Sequence, residues 1–307
     1  MPVVRLSNSE LQTFKACRRK WWFGYYRRLQ PKQRDATGAL ALGSRIHQAL
    51  DDYYSKGVPL LEGHANLVDQ EKKALLAEFR DVSALESEAE LGHIMLEGYL
   101  QWVEENGIDA ELEMISTEEI ITTPLFNGEV ELTGKIDMRV RRKIDGVRMF
   151  RDFKTVGGSL SEFANLAPMN EQILTYMLLE ATKEDEKHRS EGGIFTLLKK
   201  VRRSARATPP FYDQLEVRHN VFTLRSFWDR IHGTIADLMR VRKALDEGES
   251  PAFHAYPRPS RDCKWSCPFY SVCTLVDDGS AYEDAISDMY DVADPYAYYG
   301  EEKKGNE

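Results

Sequence analysis

The chain has 307 residues, 42% of them hydrophobic and 30% charged, with four cysteines and a formal net charge of −9. That length fits one large domain or two modest ones, with apolar residues enough for a core. No apolar run approaches the roughly 20 residues of a membrane span, and the opening MPVVRLSNSE lacks the apolar stretch of a secretory leader; a cytoplasmic protein with no membrane partner is expected, where clustered thiols favour metal over disulfides.

In chain order, LSNSELQTFKACRRKWWFGYY begins as a helix, since Ser7 and Glu10 stand at capping-box spacing and each can satisfy the other's free amide. LGSRIHQALDDYY reads as a second helix, stopped by KGVP, and residues 66–105 carry apolar positions at helical spacing. The period then changes. EMISTEEIITTPL, VELTGKIDMRVRR and VRMFRDFKTV have strand character, rich in β-branched and aromatic residues. NEQILTYMLLEATK returns to helix, GGIFTLLKKV reads as a strand, residues 222–247 form a long helix, and PSRDCKWSCPFYSVC is a loop-rich closing segment. Helices, a central sheet and more helices predict an α/β or α+β core.

Asp145-Gly146 is a two-residue hairpin signal, because both residues tolerate positive φ. With that turn Ile144 pairs with Val147, Asp137 faces Lys154, and Arg139 faces Asp152. Side chains alternate along a strand, so Asp137, Asp152 and Lys154 share one face, while Ile136, Met138, Val140, Met149 and Phe153 offer the other to a core. Two carboxylates and a lysine on one surface can bind Mg²⁺ or Mn²⁺, polarise a phosphodiester and steady developing charge. An exposed cross-strand ion pair uses the same residue types. Gly43 and His47 lie one helical turn apart, the glycine allowing close approach and the imidazole able to ligate metal. Gln172 and Tyr176, at i and i+4, project from one helix face.

The charge is unevenly spread. Residues 277–307 hold ten acids and two lysines, net −8, which leaves the body of the chain near −1. Basic residues cluster in 17–34 and 197–206. Arg18, Arg19, Lys20, Arg27 and Arg28, with Lys199, Lys200, Arg202 and Arg203, are candidate phosphate contacts. Trp21, Trp22, Tyr25 and Tyr26 could stack on unpaired bases, although helical spacing requires about half of them in a core, with Trp22 or Tyr26 expected to be buried.

Taken in order, G-x3-H, the GKID of G-x-x-D, the DFK of D-x-K and the QILTY of Q-x3-Y resemble the RecB-type branch of the PD-(D/E)XK nucleases over residues 5–275. The resemblance implies a restriction-endonuclease-like α/β core, a central mixed sheet flanked by helices. It implies a metal-dependent DNA exonuclease serving recombination, end resection or phage DNA metabolism. It also implies His47, Asp137, Asp152 and the backbone carbonyl of Phe153 as ligands of Mg²⁺ or Mn²⁺, Lys154 as the catalytic lysine, and Gln172 and Tyr176 as the motif after it. The usual proline before the first aspartate is absent.

Three of the four cysteines fall in DCKWSCPFYSVC, and three thiols cannot close a tetrahedral site. Iron–sulfur members of the same group, the CRISPR-associated exonucleases and AddB-type subunits among them, place one cysteine before the core and three after it. Cys17 with Cys263, Cys267 and Cys273 match that order. The resemblance implies a 4Fe-4S cluster tying the first helix to the C-terminal segment. The C-x3-C between Cys263 and Cys267 departs from the family's C-x2-C and keeps zinc open as the occupant.

The expected organisation is an N-terminal helix with its basic stretch (1–34), a nuclease core (35–205), a helical and cysteine-rich part (206–275) and a disordered acidic tail (276–307). No G-x4-GK[ST] phosphate loop is present, so the chain holds no ATP motor. DNA is the expected partner, with room for a recombination or single-strand annealing protein beside it. Two other readings stay open: a CRISPR-type spacer-processing nuclease, and a silent DNA- or protein-binding module on the same fold. The intact set of His47, Asp137, Asp152 and Lys154 argues against the silent module.

Overall fold

The computed structural model describes residues 3–33, 36–181, 183 and 189–299. Arg34 of the basic stretch and residues 300–307 of the acidic tail lie outside the described residues. The chain opens with β1 (Val4–Ser7), α1 (Asn8–Ala16), α2 (Arg18–Trp21), a π-helical turn (Trp22–Tyr26) and β2 (Leu29–Pro31). Three helices follow: α3 (Ala39–Lys56), α4 (Leu60–Ala77) and α5 (Ser83–Asn106). Next come β3 (Leu112–Leu125), β4 (Val130–Arg142), β5 (Arg148–Val156), α6 (Leu160–Leu166), α7 (Glu171–Ala181), β6 (Gly192–Lys199) and β7 (Tyr212–Arg218). The chain closes with α8 (Val221–Asp246), α9 (Pro251–His254), α10 (Cys263–Ser266), α11 (Tyr270–Cys273), α12 (Tyr282–Met289) and β8 (Tyr290–Val292).

The main sheet is mixed, in the order β1-β4-β5-β6-β7 with β3 also on β4. β1 runs parallel to the start of β4, β5 parallel to β6, and the β4–β5 and β6–β7 pairs are antiparallel. The sheet and its helices make an α/β fold, as expected. β1, β2, β7 and β8 are strands that the sequence reading did not find.

Two compact units divide the chain: residues 1–34, 122–134 and 221–307 form one, and residues 35–121 and 135–220 the other. The expected core of 35–205 thus loses a short hairpin segment to the first unit and gains β7. Segment 276–299, expected as a disordered arm, carries α12 and β8, and β8 pairs antiparallel with β2 through Leu29–Val292, Gln30–Asp291 and Pro31–Tyr290.

In the second unit the core forms where helical and strand periods meet. Leu42, Ile46, Ala49 and Leu50 of α3, with Met95, Leu96 and Tyr99 of α5, pack against Met138, Val140, Met149 and Phe153. Those strand residues lie on the face that alternation assigns to the core. Gly57 closes α3 in the left-handed conformation, at φ 69°, where a residue with a Cβ would be strained.

In the first unit, Ser7 caps α1 by accepting from the Glu10 amide at 3.2 Å. The capping box is only half made, because the Glu10 carboxylate accepts from Trp21 Nε1 at 2.8 Å and from the Tyr296 hydroxyl. Trp21, Trp22 and Phe23 are buried, with Phe14 edge-on to Trp21 at 5.1 Å and Phe23 5.2 Å from Phe269. Burial pushes the Glu10 carboxyl up to about 7 from its ordinary 4.5, against the Trp21 hydrogen bond and the Arg242 charge, which lower it.

A pH dependence of stability follows. Folded Glu10 keeps its proton where the unfolded chain has lost it, so its contribution is fully present below pH 4.5 and is lost as pH rises to about 7. The loss is about 3 kcal/mol across that window. Glu10→Gln keeps an acceptor for Trp21 without the titration. Urea unfolding at pH 5 and pH 7 should therefore show a fall in wild-type stability that the variant lacks, and equal pH dependence would rule the assignment out.

Candidate active site

The hairpin joining β4 and β5 sets the geometry. Its register pairs Met138 with Arg151, Arg139 with Phe150, Val140 with Met149 and Arg141 with Arg148. The sequence reading set Arg139 against Asp152, two residues away. The cause is the turn. Only Gly146 takes positive φ, at 73°, and Arg142 pairs with Val147 around a four-residue loop. The Asp145 carboxylate is drawn to the Val147 amide at 3.1 Å and to Arg142. A mirror-image two-residue turn needs positive φ at both central residues. Because the shift is even, each side chain keeps its expected face.

Asp137, Asp152 and Lys154 do meet. Continuing the observed register one step sets Asp137 against Asp152. There the Asp137 carboxylate accepts from the Phe153 amide at 3.3 Å. Asp152 is 1% exposed, and its Oδ2 lies 2.6 Å from Lys154 Nζ. That oxygen accepts no well-aligned hydrogen bond among the described residues, which leaves a lone pair open. His47 Nδ1 comes from α3 to 3.3 Å from Asp137 Oδ2. Gly43, one turn earlier, would bring a Cβ to 3.3 Å from Thr155 Oγ1, so its missing side chain lets α3 lie close to β5.

Gln172 joins the set from α7. Its side-chain nitrogen donates to Asp152 Oδ1 and to the Tyr176 hydroxyl, both at 2.8 Å, and its oxygen accepts from Lys154 Nζ at 2.8 Å. Tyr176 in turn donates to the Lys135 carbonyl at 2.6 Å. Helix α7 can sit this low because the second residue of β6 is Gly193, where a Cβ would come to 2.4 Å from Ile173 Cδ1.

The carboxylates differ electrostatically. Burial raises Asp152 to about 6, with Asp137 adding to the rise and Lys154 opposing it. Burial pushes Asp137 the same way, but the His47 hydrogen bond and charge, with Lys154 and the Phe153 amide, hold it below the usual carboxylate range. His47 is lowered by burial and raised by its bond to Asp137, and the raising wins. The donor chemistry suits a hard divalent cation, with two carboxylates, an imidazole and an open lone pair on Asp152. The side chains are closed on one another, however, and among the described residues no group of three or more His, Cys, Asp or Glu is arranged as a coordination shell.

Sequence reasoning missed three neighbours. Asp51, Thr117 and Glu118 line, with His47, Asp137 and Phe153, a small pocket. Glu118 has φ 51° and pairs with Lys135. Asp51 follows His47 at i+4, a signal the sequence did carry.

The four cysteines are free and partly exposed. The Cys17 and Cys263 sulfurs accept from the Arg258 and Ser260 amides at 3.4 and 3.3 Å. Burial pushes Cys273 up to about 11, and the charges of Cys17 and Cys267 add to the rise. Burial raises Cys267 too, with Cys17 and Cys263 adding. The thiols are thus near enough to feel one another. They are not gathered as metal ligands in this structure.

Much of the basic stretch is spent internally. Arg19 is buried against the Ala255 carbonyl and Asp277, Arg18 pairs with Asp237, and Arg27 grips Glu283 with both terminal nitrogens. Trp22 is buried as expected, but so is Trp21, and neither presents a free face to a base. Among the described residues Lys20 and Arg28 have no acidic partner. In the second basic segment Arg202 meets Glu90, and Arg203 lies 3.7 Å from the Phe211 ring centre. Lys199 and Lys200 are half-buried, and burial lowers Lys200.

The family model described as the PD-(D/E)XK nuclease superfamily matches residues 5–274. No curated protein matches the chain. Among solved structures, a Eubacterium rectale protein named a candidate exonuclease is 16% identical, with a TM-score of 0.46 over 80% of this chain and 82% of its own. The protein SSO0001 is 15% identical, with a TM-score of 0.32 over 79% and 88%. At those values neither likeness bears on function.

Tyr176→Phe removes the donor to the Lys135 carbonyl and one acceptor of Gln172. It should cost about 1–2 kcal/mol in chemical denaturation while leaving the fold intact. An unchanged midpoint would mean that the hydroxyl does not secure this end of the site.

Proposed function

The chain belongs to the PD-(D/E)XK nuclease superfamily, and from that premise we propose that it is a divalent-metal-dependent DNA exonuclease of the RecB-like type. The supporting observation is the meeting of two polar groups on adjacent strands, His47 with Asp137 and Asp152 with Lys154, Gln172 and Tyr176. Asp137, Asp152 and His47, with the Phe153 carbonyl, would hold Mg²⁺ or Mn²⁺, which when bound supplies Lewis-acid charge at a phosphodiester. Lys154, steered by Asp152 and Gln172, places an ammonium where a phosphate's developing negative charge can be steadied or a water oriented. Gln172 reads both partners at once, oxygen to Lys154 and nitrogen to Asp152, so it fixes which way each points.

Recombination, end resection or phage DNA metabolism are the settings proposed, in the cytoplasm, with DNA as the partner. Among the described residues no helix is long and apolar enough to cross a membrane. The four cysteines are proposed to carry a 4Fe-4S cluster, with zinc as the alternative occupant. The influence of Cys17 on both Cys267 and Cys273 supports this, since thiolates brought near one another are stabilised by a shared cation.

Two tests separate these claims. Asp152→Ala should abolish metal-dependent cleavage of end-labelled DNA in a folded protein, and Lys154→Ala should abolish or severely reduce it while keeping metal binding. Unchanged cleavage by either variant would sink the nuclease reading. Protein purified without oxygen should be brown, with roughly four irons per chain, and Cys17→Ala should bleach it as Cys267→Ala does. A colourless protein with one zinc would refute the cluster, and full metal content in the Cys17 variant would refute the four-cysteine site.

A further inference from the structure

Helix α7 carries the two side chains that organise the active site, yet most of its surface cannot say where along the sheet it belongs. Ile173, Leu174, Thr175, Met177, Leu178 and Leu179 are all buried. Apolar packing is non-directional. A slide of one turn would put Met177 where Ile173 was and Leu178 where Leu174 was, both tolerable exchanges, with only Leu179 in place of Thr175 changing the chemistry. The polar side chains at the same four-residue spacing are not interchangeable. Gln172, Tyr176 and Glu180 lie on one face, one per turn. Each meets a different partner on the strands: Asp152, the Lys135 carbonyl and Arg139.

Arg139 and Glu180 are the least expected of these. Both are fully buried, at 0% and 2% exposure. Arg139 also reaches Glu119 Oε2 at 3.2 Å and Ser190 Oγ at 3.3 Å, and its guanidinium lies 5.4 Å from the Phe150 ring centre. Phe150 stands edge-on to Tyr176 at 5.4 Å, so the cation is linked through one ring to the active-site tyrosine. The Ser190 amide donates to Glu180 Oε2 at 2.8 Å, which ties the approach to β6 into the same cluster. After a one-turn slide Glu180 would face the Lys135 carbonyl, acceptor against acceptor, and Arg139 would lose a carboxylate deep in the fold. Of these two carboxylates Arg139 would keep only Glu119, and Glu180 would become a buried charge with no cation, which is strongly unfavourable, whereas the net stability of such a pair over an apolar one is small. Its best-attested use is to fix register.

We infer that Arg139 and Glu180 are positioning residues whose buried ion pair fixes the register of α7, and through it the placement of Gln172 and Tyr176 against Asp152 and Lys154. Its consequence for catalysis rests on the nuclease reading; its consequence for the helix does not. The test uses Glu180→Gln and the double variant Arg139→Leu/Glu180→Leu in the full chain. Glu180→Gln should lower kcat roughly 10- to 100-fold, the scale of a small misplacement at a reacting centre, with KM for DNA unchanged. The double variant should regain most of the thermal stability that Glu180→Gln loses without regaining kcat. A merely structural pair would return activity together with stability, and that result would overturn the inference.

Hydrogen exchange of the 171–181 peptide supplies a readout free of catalysis. Both variants should lose protection there while the β5 peptide keeps it, and unchanged protection would overturn the inference whether or not the protein cuts DNA. A wild-type protein inactive with every divalent ion would overturn the nuclease reading alone.

Discussion

The carboxylate of Asp152 is almost wholly out of water, and the site is arranged around that fact. A buried carboxylate is costly unless charges and donors meet it. Lys154 approaches one oxygen and Gln172 the other, while Asp137 stands close enough to keep its proton affinity high. Gln172 can do this only because α7 lies on β6 at Gly193, and α7 lies there in one register because Tyr176 and Glu180 have their own partners one and two turns on. Asp137 is kept ionised by His47 from α3, which reaches it across the close approach at Gly43. Helix α7 and strands β4, β5 and β6 therefore meet at one carboxylate, and α3 meets its neighbour.

The same logic explains the unequal pair of acids. One carboxyl sits above the ordinary range and its neighbour below it, because burial acts on both while His47 and the Phe153 amide favour Asp137. Positive charge approaching either acid would favour its ionised form.

The sequence carried this site well and its surroundings less well. Alternation alone put Asp137, Asp152 and Lys154 on one face, and the prediction survived a wrong turn because a two-residue slip preserves parity. His47, Gln172 and Tyr176 were legible through i, i+4 spacing, and α3, α5 and α8 through their apolar period. The Arg139–Glu180 pair was not, because a lone arginine in a strand reads as an outward residue until its partner 41 positions on is known. The basic stretch misled for a related reason: composition marks Arg18 and Arg27 as free cations, whereas acids 219 and 256 residues later take them up. β7 was missed because YDQLEVR alternates charge with few apolar anchors, and β8 because three residues are too short to show a period.

Digestion of end-labelled single- and double-stranded DNA by the unmodified protein, with Mg²⁺, Mn²⁺ or a chelator, tests the central claim most directly. The account predicts cleavage with either cation, proceeding from an end, and none with chelator. Intact substrate in every metal, with the protein folded, would contradict it.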